Sequence, residues 1–512
     1  MKKKVLALSI AAMIGGVAHA GVSFPGTAVA TTATTLAVSP DGIGHILMVP
    51  YFSTNNGNAT LLSVVNTDTT NGKAVKVRFR SAANSDDIFD FQVFMSPGDV
   101  WTANVSQGAD GKSVLNTSDK SCTLPFSVNQ SFITDRLPAA ADTATKAAWT
   151  REGYVEIFNM ADIVDTADTN DLFTRVKHVA GVAPCLGAAS ASLITQLQSD
   201  PADVTAAEAG LLNFRAPSTG LTGGWTIINV QGASVAWSGN MTAIEARVTA
   251  AGAAGTGRIV FSPQMATAAA NIDQLTSDPL LRTVNVTGGT GTYPVLTAAM
   301  FDLPDLSTPY TGTVALTATG PGSPIAQANQ VSAALTVKSV MNEYLTDTAI
   351  TAATDWTFSM PTRRYGVAVN YAQTTPADKR VYTTGNSYFT SANTTFASNL
   401  VCVAAGSLTS RDREEQFPQA GFVISPGTPT ALEFCGEVSV LSFNSTNVLG
   451  ATLATKNIDA TYRDGWLSVA TPGLGGTAGL PILGAAFTKA TGPAVANKST
   501  TFGLTNGHRF TR

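Results

Sequence analysis

The chain has little charge, few histidines and few cysteines. Asp, Glu, Lys and Arg make up 13% of its 512 residues, the formal net charge is −4, and there are four histidines and four cysteines. Because no basic stripe is present, the sequence offers no electrostatic basis for binding nucleic acid. The absence of a C-x-x-C spacing, together with so few histidines, argues against a structural zinc site.

Long apolar runs are also lacking beyond the N-terminus. Residues 1–20, MKKKVLALSIAAMIGGVAHA, combine three lysines, an apolar core and a small-x-small end, which is the pattern of a secretory signal peptide. Its removal takes the formal charge from −4 to −7, because three lysines are lost. No later run approaches the roughly 20 apolar residues of a membrane-spanning helix. We therefore expect an exported mature chain without a helical anchor.

The four cysteines are Cys122, Cys185, Cys402 and Cys435. An even number of cysteines in an exported chain predicts disulfides, because exported proteins fold in an oxidising environment. Of the three possible connectivities, 122–185 with 402–435 is favoured, since each bond then closes a loop within one half of the chain. Unpaired buried thiols are the alternative.

Composition and periodicity favour β-structure. The polar residues are largely Thr, Ser, Asn and Gly, which suit strands and turns. Residues 75–80, VKVRFR, alternate apolar and basic side chains, which predicts a strand with one buried and one solvated face. Residues 61–65, LLSVV, predict a strand that is covered on both faces.

These two segments are expected to pair as a β-hairpin. A two-residue Asn-Gly turn at 71–72 would place Asp68 opposite Val75 on the core face, whereas a three-residue loop would place Thr69 there. The longer loop is preferred, because burying an unpaired Asp is costly.

The alternating pattern continues along the chain. It covers residues 89–95 and resumes at Trp101 after the turn SPGD at 96–99, so residues 61–105 are expected to form one four-stranded antiparallel sheet. Further strands are predicted at 154–158, 225–230, 258–261, 313–317, 356–360, 365–371, 433–443 and 466–470. Short strands with turn-rich spacers predict a mainly β fold of antiparallel β-sandwich domains with a few short helices.

Few segments have the period of a helix. Residues 192–200 and 206–214 are candidates, and residues 327–345 are the strongest, because apolar residues recur there on one helical face. A stretch rich in Ala, Gly and Thr at 240–325 indicates a boundary or insertion. We therefore divide the chain into a signal peptide at 1–20, an N-terminal β-domain at 21–200, a middle region or insertion with some helix at 201–340, and a C-terminal β-domain at 341–512.

Catalytic motifs are weak or incomplete. GADGKS at 108–113 ends like a phosphate-binding loop, but Ser106 stands where the leading glycine is needed. GLGGTAG at 473–479 matches a dinucleotide fingerprint only loosely, and no G-x-S-x-G elbow is present. Glu343 and Asp347 would share a helix face as paired carboxylates, but this spacing is ordinary at a helix end. We therefore predict a protein that is not an enzyme.

The densest group of candidate metal ligands lies in DIVDTADTND. Its members are Asp162, Asp165, Asp168, Asn170 and Asp171. Ca²⁺ takes roughly six to eight oxygen ligands from flexible acidic loops, although this spacing lacks the glycine and terminal Glu of an EF-hand. Calcium is therefore the candidate cofactor, and a solvated acidic loop is the alternative.

Several stretches near both ends of the mature chain form a signature. They are GHILMVPYFSTNNGNATLLSVVNTDTTNGKAVKVRFR, SDDIFDFQVFMSPGDVW, REGYVEIFNMADI, SVMNEYLTDTAITAATDWTFSMPTRRY, GLPILGAAFTKATG and GHRFTR. In these stretches the chain resembles a family of exported Gram-negative proteins labelled cell-surface or surface-layer-like proteins. The resemblance implies a location at the cell surface and a structural role, and it implies no functional residue.

Two hypotheses follow. The first is a secreted, non-enzymatic structural protein that self-assembles as a surface layer does, with itself and the outer cell surface as partners and calcium as a support between protomers. Low charge and many Thr and Asn residues suit polar, wet contacts. The second is a surface adhesin or glycan-binding module that uses loops at one end of a sandwich.

Overall fold

The structure is a computed structural model of a mainly β chain. It describes residues 33–125, 127–134, 137–138, 140–167, 171–185, 214–229, 235–249, 252–257, 285–288, 291–294, 324–371, 373–415, 432–458, 464–494 and 500–512. Within them, antiparallel sheets predominate and the helices are short. The predicted fold class is confirmed.

The strands are numbered along the chain. The first are β1 (Thr35–Val38), β2 (Ile46–Ser53), β3 (Asn58–Asn66), β4 (Gly72–Ser81), β5 (Asp87–Met95), β6 (Val100–Gln107), β7 (Ser113–Asn116), β8 (Cys122–Leu124), β9 (Glu152–Ile163), β10 (Phe214–Arg215), β11 (Leu221–Asn229), β12 (Val235–Asn240) and β13 (Thr242–Arg247). The next are β14 (Asn285–Gly288), β15 (Gly291–Pro294), β16 (Thr336–Val337), β17 (Ser339–Tyr344), β18 (Ala353–Ser359), β19 (Val367–Val369), β20 (Arg380–Thr383), β21 (Thr394–Ala397) and β22 (Leu400–Ala404).

The remaining strands are β23 (Leu408–Asp412), β24 (Glu433–Cys435), β25 (Val438–Phe443), β26 (Thr455–Ile458), β27 (Gly465–Ala470), β28 (Leu480–Pro481), β29 (Ala485–Thr491), β30 (Thr501–Gly507) and β31 (Arg509–Thr511). The helices are α1 (Thr143–Trp149), α2 (Leu172–Val176), α3 (Pro324–Leu335), α4 (Arg363–Gly366) and α5 (Pro376–Lys379).

Two sheets pack face to face in the N-terminal part. Sheet A has the order β1-β13-β2-β9-β4-β5-β8, with β10 also paired to β9, and sheet B has the order β12-β11-β3-β6-β7. Val77 and Phe91 of sheet A belong to the same buried cluster as Leu62, Trp101 and Trp237 of sheet B. Burying one such side chain contributes about 1.5–3 kcal/mol, so this shared core makes the pair a β-sandwich.

Further sheets form a second core in the C-terminal part. One has the order β23-β27-β17-β31 and another the order β26-β25-β18-β29-β30. Tyr344 of the first stacks on Phe443 of the second at a ring-centroid distance of 4.5 Å. Trp356 and Phe358 lie in the same buried cluster, so alternate residues of β18 build this core as period-two patterning requires.

The predicted hairpin at 61–80 is wrong. β3 pairs with β6 and β11 in sheet B, whereas β4 pairs with β5 and β9 in sheet A. The link between β3 and β4 crosses from one sheet to the other, and the Asp68 carboxylate accepts the Asn71 N–H there at 3.0 Å. Neither Asp68 nor Thr69 lies opposite Val75. Alternation shows which face of a strand is buried, but it does not show which strand is its neighbour.

The predicted four-stranded sheet at 61–105 is wrong for the same reason, because β3 and β6 lie in sheet B while β4 and β5 lie in sheet A.

The predicted burial of these strands also differs from the structure. Leu61, expected to be covered, is 39% exposed. β4 is buried on both faces, since Lys76 on the expected wet face is 1% exposed. Lys76 Nζ lies 2.9 Å from Asp90 Oδ2, and such pairing permits its burial.

The predicted helix at 327–345 is correct only in its first part. α3 ends at Leu335, and the chain continues as β16 and β17. β17 pairs with β27 and β31, and Val340 and Tyr344 alternate into the second core. Sheet pairing and burial of these residues outweigh the helical spacing that the sequence also allows.

Most other predicted elements agree with the structure. Strands predicted at 89–95, 154–158, 225–230, 356–360, 433–443 and 466–470 correspond to β5, β9, β11, β18, β24 with β25, and β27. Residues 365–371 are different, because they begin in α4 and only then enter β19. The predictions at 1–20, 192–200, 258–261, 313–317 and, apart from Phe214 in β10, 206–214 lie outside the described residues.

Two disulfides join Cys122 to Cys185 and Cys402 to Cys435, which is the favoured pairing. The second joins directly opposed residues of β22 and β24. Disulfides persist in oxidising environments, so the bonds indicate such an environment for the folded chain. Among the described residues, none of the helices has the length and apolar character needed to span a membrane.

We expect the Cys122–Cys185 bond to be a major source of stability. It joins residues 63 apart in sequence, so Cys122→Ser/Cys185→Ser should lower the free energy of unfolding by about 4 kcal/mol through a larger unfolded-state entropy. Guanidinium unfolding followed by tryptophan fluorescence measures this loss. Cys402→Ser/Cys435→Ser, with a separation of 33, is the matched comparison and should lose slightly less. An unchanged midpoint in both variants would contradict the expectation.

Candidate functional site: a buried charged layer and an uncharged face

The face of sheet A that points away from sheet B carries charged side chains. Basic residues alternate along β4, and acidic residues follow on β5 and β9. We call this set the charged layer; its members are Lys76, Arg78, Arg80, Asp87, Asp90 and Glu156, none more than 1% exposed. A buried charge without a partner costs several kcal/mol, so the layer can exist only as a paired array.

Strand register supplies the partners. Within the layer, Arg78 is directly opposite Glu156 across the β4–β9 ladder, and on the other face of β4 Lys73 is directly opposite Asp162. The Lys73 Nζ to Asp162 Oδ1 distance is 2.7 Å, and Arg80 Nε lies 3.4 Å from Glu156 Oε2. Each carboxylate is therefore held where a basic side chain of the next strand can neutralise it.

Glu156 also connects sheet A to the C-terminal part. The Tyr365 hydroxyl of α4 donates to Glu156 Oε1 at 3.1 Å, and the Tyr154 hydroxyl donates to the same oxygen at 3.2 Å. Beside this contact, Arg363 Nε lies 2.5 Å from Glu437 Oε2. All of these side chains are 1% exposed or less, so a dry polar network joins the two parts of the chain, in addition to apolar contacts such as those of Phe487 with Tyr51 and Trp237.

Asp86 sits at the same junction. Its carboxylate accepts a hydrogen bond from the Tyr371 hydroxyl at 2.9 Å. Burial raises the pKa of Asp86 to about 6, and the positive charge of Arg364 only partly offsets this. Asp86 and Arg364 are no more than 2% exposed. A substrate would reach these groups only if the sheets separated, so the arrangement holds the strands together and does not form an open catalytic cleft.

Sheet B presents the opposite chemistry to solvent. Its outward side chains, which we call the uncharged face, are Ala59, Leu61, Ser63 and Val65 of β3, Val100, Thr102, Asn104 and Ser106 of β6, Val114 and Asn116 of β7, Thr222, Gly224, Thr226 and Ile228 of β11, and Ala236, Ser238 and Asn240 of β12. None of these residues is Asp, Glu, Lys or Arg. Exposed sheet surfaces usually carry charges that discourage association.

A groove of about 760 Å³ crosses the uncharged face. Register places Leu61 between Thr226 and Asn104, with hydroxyl and amide groups on either side of it. In the next row Gly224 is opposite Ser63 and contributes no side chain to fill the space. The groove therefore offers neutral hydrogen-bond donors and acceptors around one apolar residue, and its outward side chains include no group that titrates near neutral pH.

The predicted calcium ligands have other contacts where the structure describes them. Asp162 binds Lys73. Asp171 caps α2 by accepting the Thr174 N–H at 2.7 Å, and Asp165 is exposed and accepts the Ala167 N–H at 2.7 Å. Asp168 and Asn170 lie outside the described residues. The calcium site stays a prediction.

One group of three possible ligands does lie close together among the described residues. It consists of Cys402, Glu433 and Cys435, whose ligand atoms are within 4.8 Å of one another. The two sulfurs are bonded to each other, so they offer no thiolate to a metal ion.

The predicted carboxylate pair on a helix is wrong. Glu343 is in β17, where its exposed Oε1 lies 3.3 Å from Arg509 Nη1. Asp347 caps a 3₁₀ turn at 348–350 by accepting the Ala349 N–H. The helix ends before either residue, so the two carboxylates do not share a helix face.

Sequence reasoning missed the charged layer by treating alternation as a sign of solvent contact. The signal was nevertheless present: VKVRFR at 75–80 has basic residues at alternate positions, and it is followed by DIFDFQ at 87–92, with acidic residues at 87 and 90. Opposite charges on paired strands attract each other across the ladder. Opposite charges within successive apolar strands are therefore a sign of a buried ionic face.

We expect Arg363 and Glu437 to be strongly coupled. Glu437→Gln leaves the Arg363 guanidinium buried without its counter-ion, so it should lower the free energy of unfolding by about 3–5 kcal/mol. Arg363→Met/Glu437→Met removes both charges and should cost less than the sum of the two single changes. Chemical denaturation of the wild type, Arg363→Met, Glu437→Met and the double Met variant gives the coupling free energy, and a value near zero would show that the pair does not hold the junction.

Comparisons with known proteins add no precedent for this arrangement. No family model matches the chain. Neither the curated proteins nor the solved structures gave a match. The functional interpretation therefore rests on the contacts of the chain itself.

Proposed function

We propose that the protein is a non-enzymatic structural protein of the outer surface of a Gram-negative bacterium, exported and assembled laterally from copies of itself. The observation that carries the proposal is the uncharged face of sheet B. A second copy is the occupant that such a face suits best, since like-charged groups would otherwise repel each other across a contact between identical surfaces.

The size of the face supports a weak contact. Five strands at about 4.8 Å spacing and about eight residues at ~3.3 Å give an area of roughly 600 Å². A stable complex usually buries about 800 Å² on each partner. One such contact would be marginal alone, and a layer requires at least one further contact on each protomer, because a contact between two identical faces closes as a dimer.

The interior supports a mechanical role. The charged layer, the junction at Glu156 and the two disulfides tie the strands of one protomer together through buried contacts. The oxidising environment that the disulfides require agrees with an exported protein. Calcium remains part of the proposal as a support between protomers, with the exposed Asp165 as its ligand in the described part of the acidic loop.

The groove favours one alternative function, binding of a neutral glycan. Ser63, Thr102, Asn104 and Thr226 offer the hydroxyl and amide groups that would pair with sugar hydroxyls. The groove's exposed apolar side chain is Leu61, and an exposed aromatic ring, the usual platform for an apolar ring face, is absent from its outward residues. We therefore prefer self-assembly to glycan binding as the proposed function.

Negative-stain electron microscopy of the purified protein tests the proposal. We expect ordered sheets or tubes from the wild type and dispersed particles from Thr102→Lys/Ser238→Lys, because two lysines on the face would repel those of the neighbouring copy. Thr409→Lys/Thr455→Lys adds the same charge at exposed threonines outside sheet B and should still assemble.

The outcomes separate the possibilities. If a chelator abolished the ordered sheets or tubes and millimolar calcium restored them, this result would support calcium as a support between protomers. Dispersed wild-type particles in both conditions would overturn self-assembly. Selective binding of the wild type to a neutral-glycan array, lost in Thr102→Lys/Ser238→Lys, would then establish the alternative.

A further inference from the structure

Lys73 lies in an unusual site at the start of β4. Its side chain is fully buried, and its Nζ contacts Asp162 Oδ1 at 2.7 Å, Asp68 Oδ2 at 3.2 Å and Ser218 Oγ at 2.8 Å. Two carboxylates therefore share one ammonium group, and both lie within reach of its nitrogen. Four parts of the chain contribute residues to the site: β4, β9, the link at 67–71 and the segment after β10. All of them meet at the Lys73 amine.

We propose that Lys73 and Asp162 form an intramolecular amide bond, with Asp68 as the group that accepts and returns a proton. The hydrogen-bonded distance of 2.7 Å places the nitrogen roughly 3–3.5 Å from the carboxyl carbon, which is the range of a near-attack geometry. Direct opposition of the two residues across the β4–β9 ladder holds this geometry.

The reaction is a condensation whose atoms balance without a further reactant. A proton passes from the Lys73 ammonium to the Asp162 carboxylate, and the neutral amine then attacks the carboxyl carbon. As the C–N bond forms, the nitrogen gives its extra proton to Asp68. Asp68 returns that proton to the departing hydroxyl, the C–O bond breaks, and one water molecule leaves.

Neighbouring groups would stabilise the negative oxygen of the intermediate. The Ser218 N–H donates to Asp162 Oδ2 at 3.1 Å, the Ser218 hydroxyl donates to the same oxygen, and the Asn159 amide donates to Oδ1 at 3.0 Å. Preorganised donors of this kind lower the barrier of acyl transfer. The Asp162 side chain is only 5% exposed, so little solvent water is present to reverse the reaction.

The electrostatics of the site favour the product. Asp68 is more exposed than Asp162. Despite its partial burial, hydrogen bonds from the Asn71 and Thr70 N–H groups lower its pKa to about 2, so it is ionised before the attack and readily returns the proton that it accepts. An amide replaces two buried charges with a neutral group, which removes the cost of keeping them out of water.

Intact-mass spectrometry of the denatured and reduced protein tests the proposal. We expect the wild type to be lighter by one water molecule than its composition requires, and Lys73→Met to have its full mass. Lys112→Met is the matched control, because Lys112 forms an exposed ion pair with Asp110 at 3.2 Å; this variant should keep the mass deficit. Sequencing the N-terminus of each preparation makes the compositions comparable.

Two further measurements separate the bond from loss of folding. Asp68→Asn keeps both bonding residues, so a folded Asp68→Asn protein should have the full mass or lose water slowly. Peptide mapping of the wild type should yield one branched peptide that contains Lys73 and Asp162. A wild type of full mass after prolonged incubation, without a branched peptide, would show that the two residues form only an ion pair.

Discussion

Neutralisation of buried charge is the constraint on which the rest of this structure depends. Sheet A has apolar side chains on the face toward sheet B and charged side chains on the other, and the second face is buried as deeply as the first. β5 and β9 must therefore bring carboxylates to the basic groups of β4, which lies between them. A register shift of one residue would place the charges in the apolar core and the valines among the carboxylates, so the ionic contacts specify one alignment of β4 with β5 and β9.

The same constraint explains how the two parts of the chain are joined. Glu156 receives hydrogen bonds from Tyr154 on its own strand and from Tyr365 of α4. The hydroxyls complete the hydrogen bonding of a carboxylate that could not stay buried with unsatisfied oxygens. The C-terminal part thus completes the hydrogen bonding of the polar face of sheet A, and separating the two parts would remove the Tyr365 hydrogen bond to Glu156 and the Tyr371 hydrogen bond to Asp86.

The strands of the fold were largely predictable from the sequence, but which strands lie next to each other in the sheets was not. Alternation located β5, β9 and β18 because period-two patterning is a local property of a strand. Alternation failed for residues 61–80 because a hairpin and a crossover between stacked sheets share the same local pattern. Helical spacing failed after Leu335 because Val337, Met341 and Tyr344 recur as in a helix, while Val340 and Tyr344 also alternate as β17 requires. The favoured disulfide pairing agreed with the structure because short loops within each half made it the simplest connection.

The charged layer was missed because the exposure of a side chain depends on the whole molecule. The uncharged face could not be located before its strands were assigned to one sheet.

The uncharged face has a consequence for the conditions in which the protein can work. Attraction between exposed charges weakens as dissolved salt increases, and at physiological ionic strength it fades over about 8 Å. The exposed pair of Arg413 and Glu414, at 2.7 Å, is subject to this screening. A contact made through the uncharged face, which combines hydroxyls and amides with Leu61 and β-branched apolar side chains, is not subject to this screening. An assembly built through this face would stay together in both fresh and saline water. An assembly joined by exposed ion pairs would weaken as the salt concentration rises.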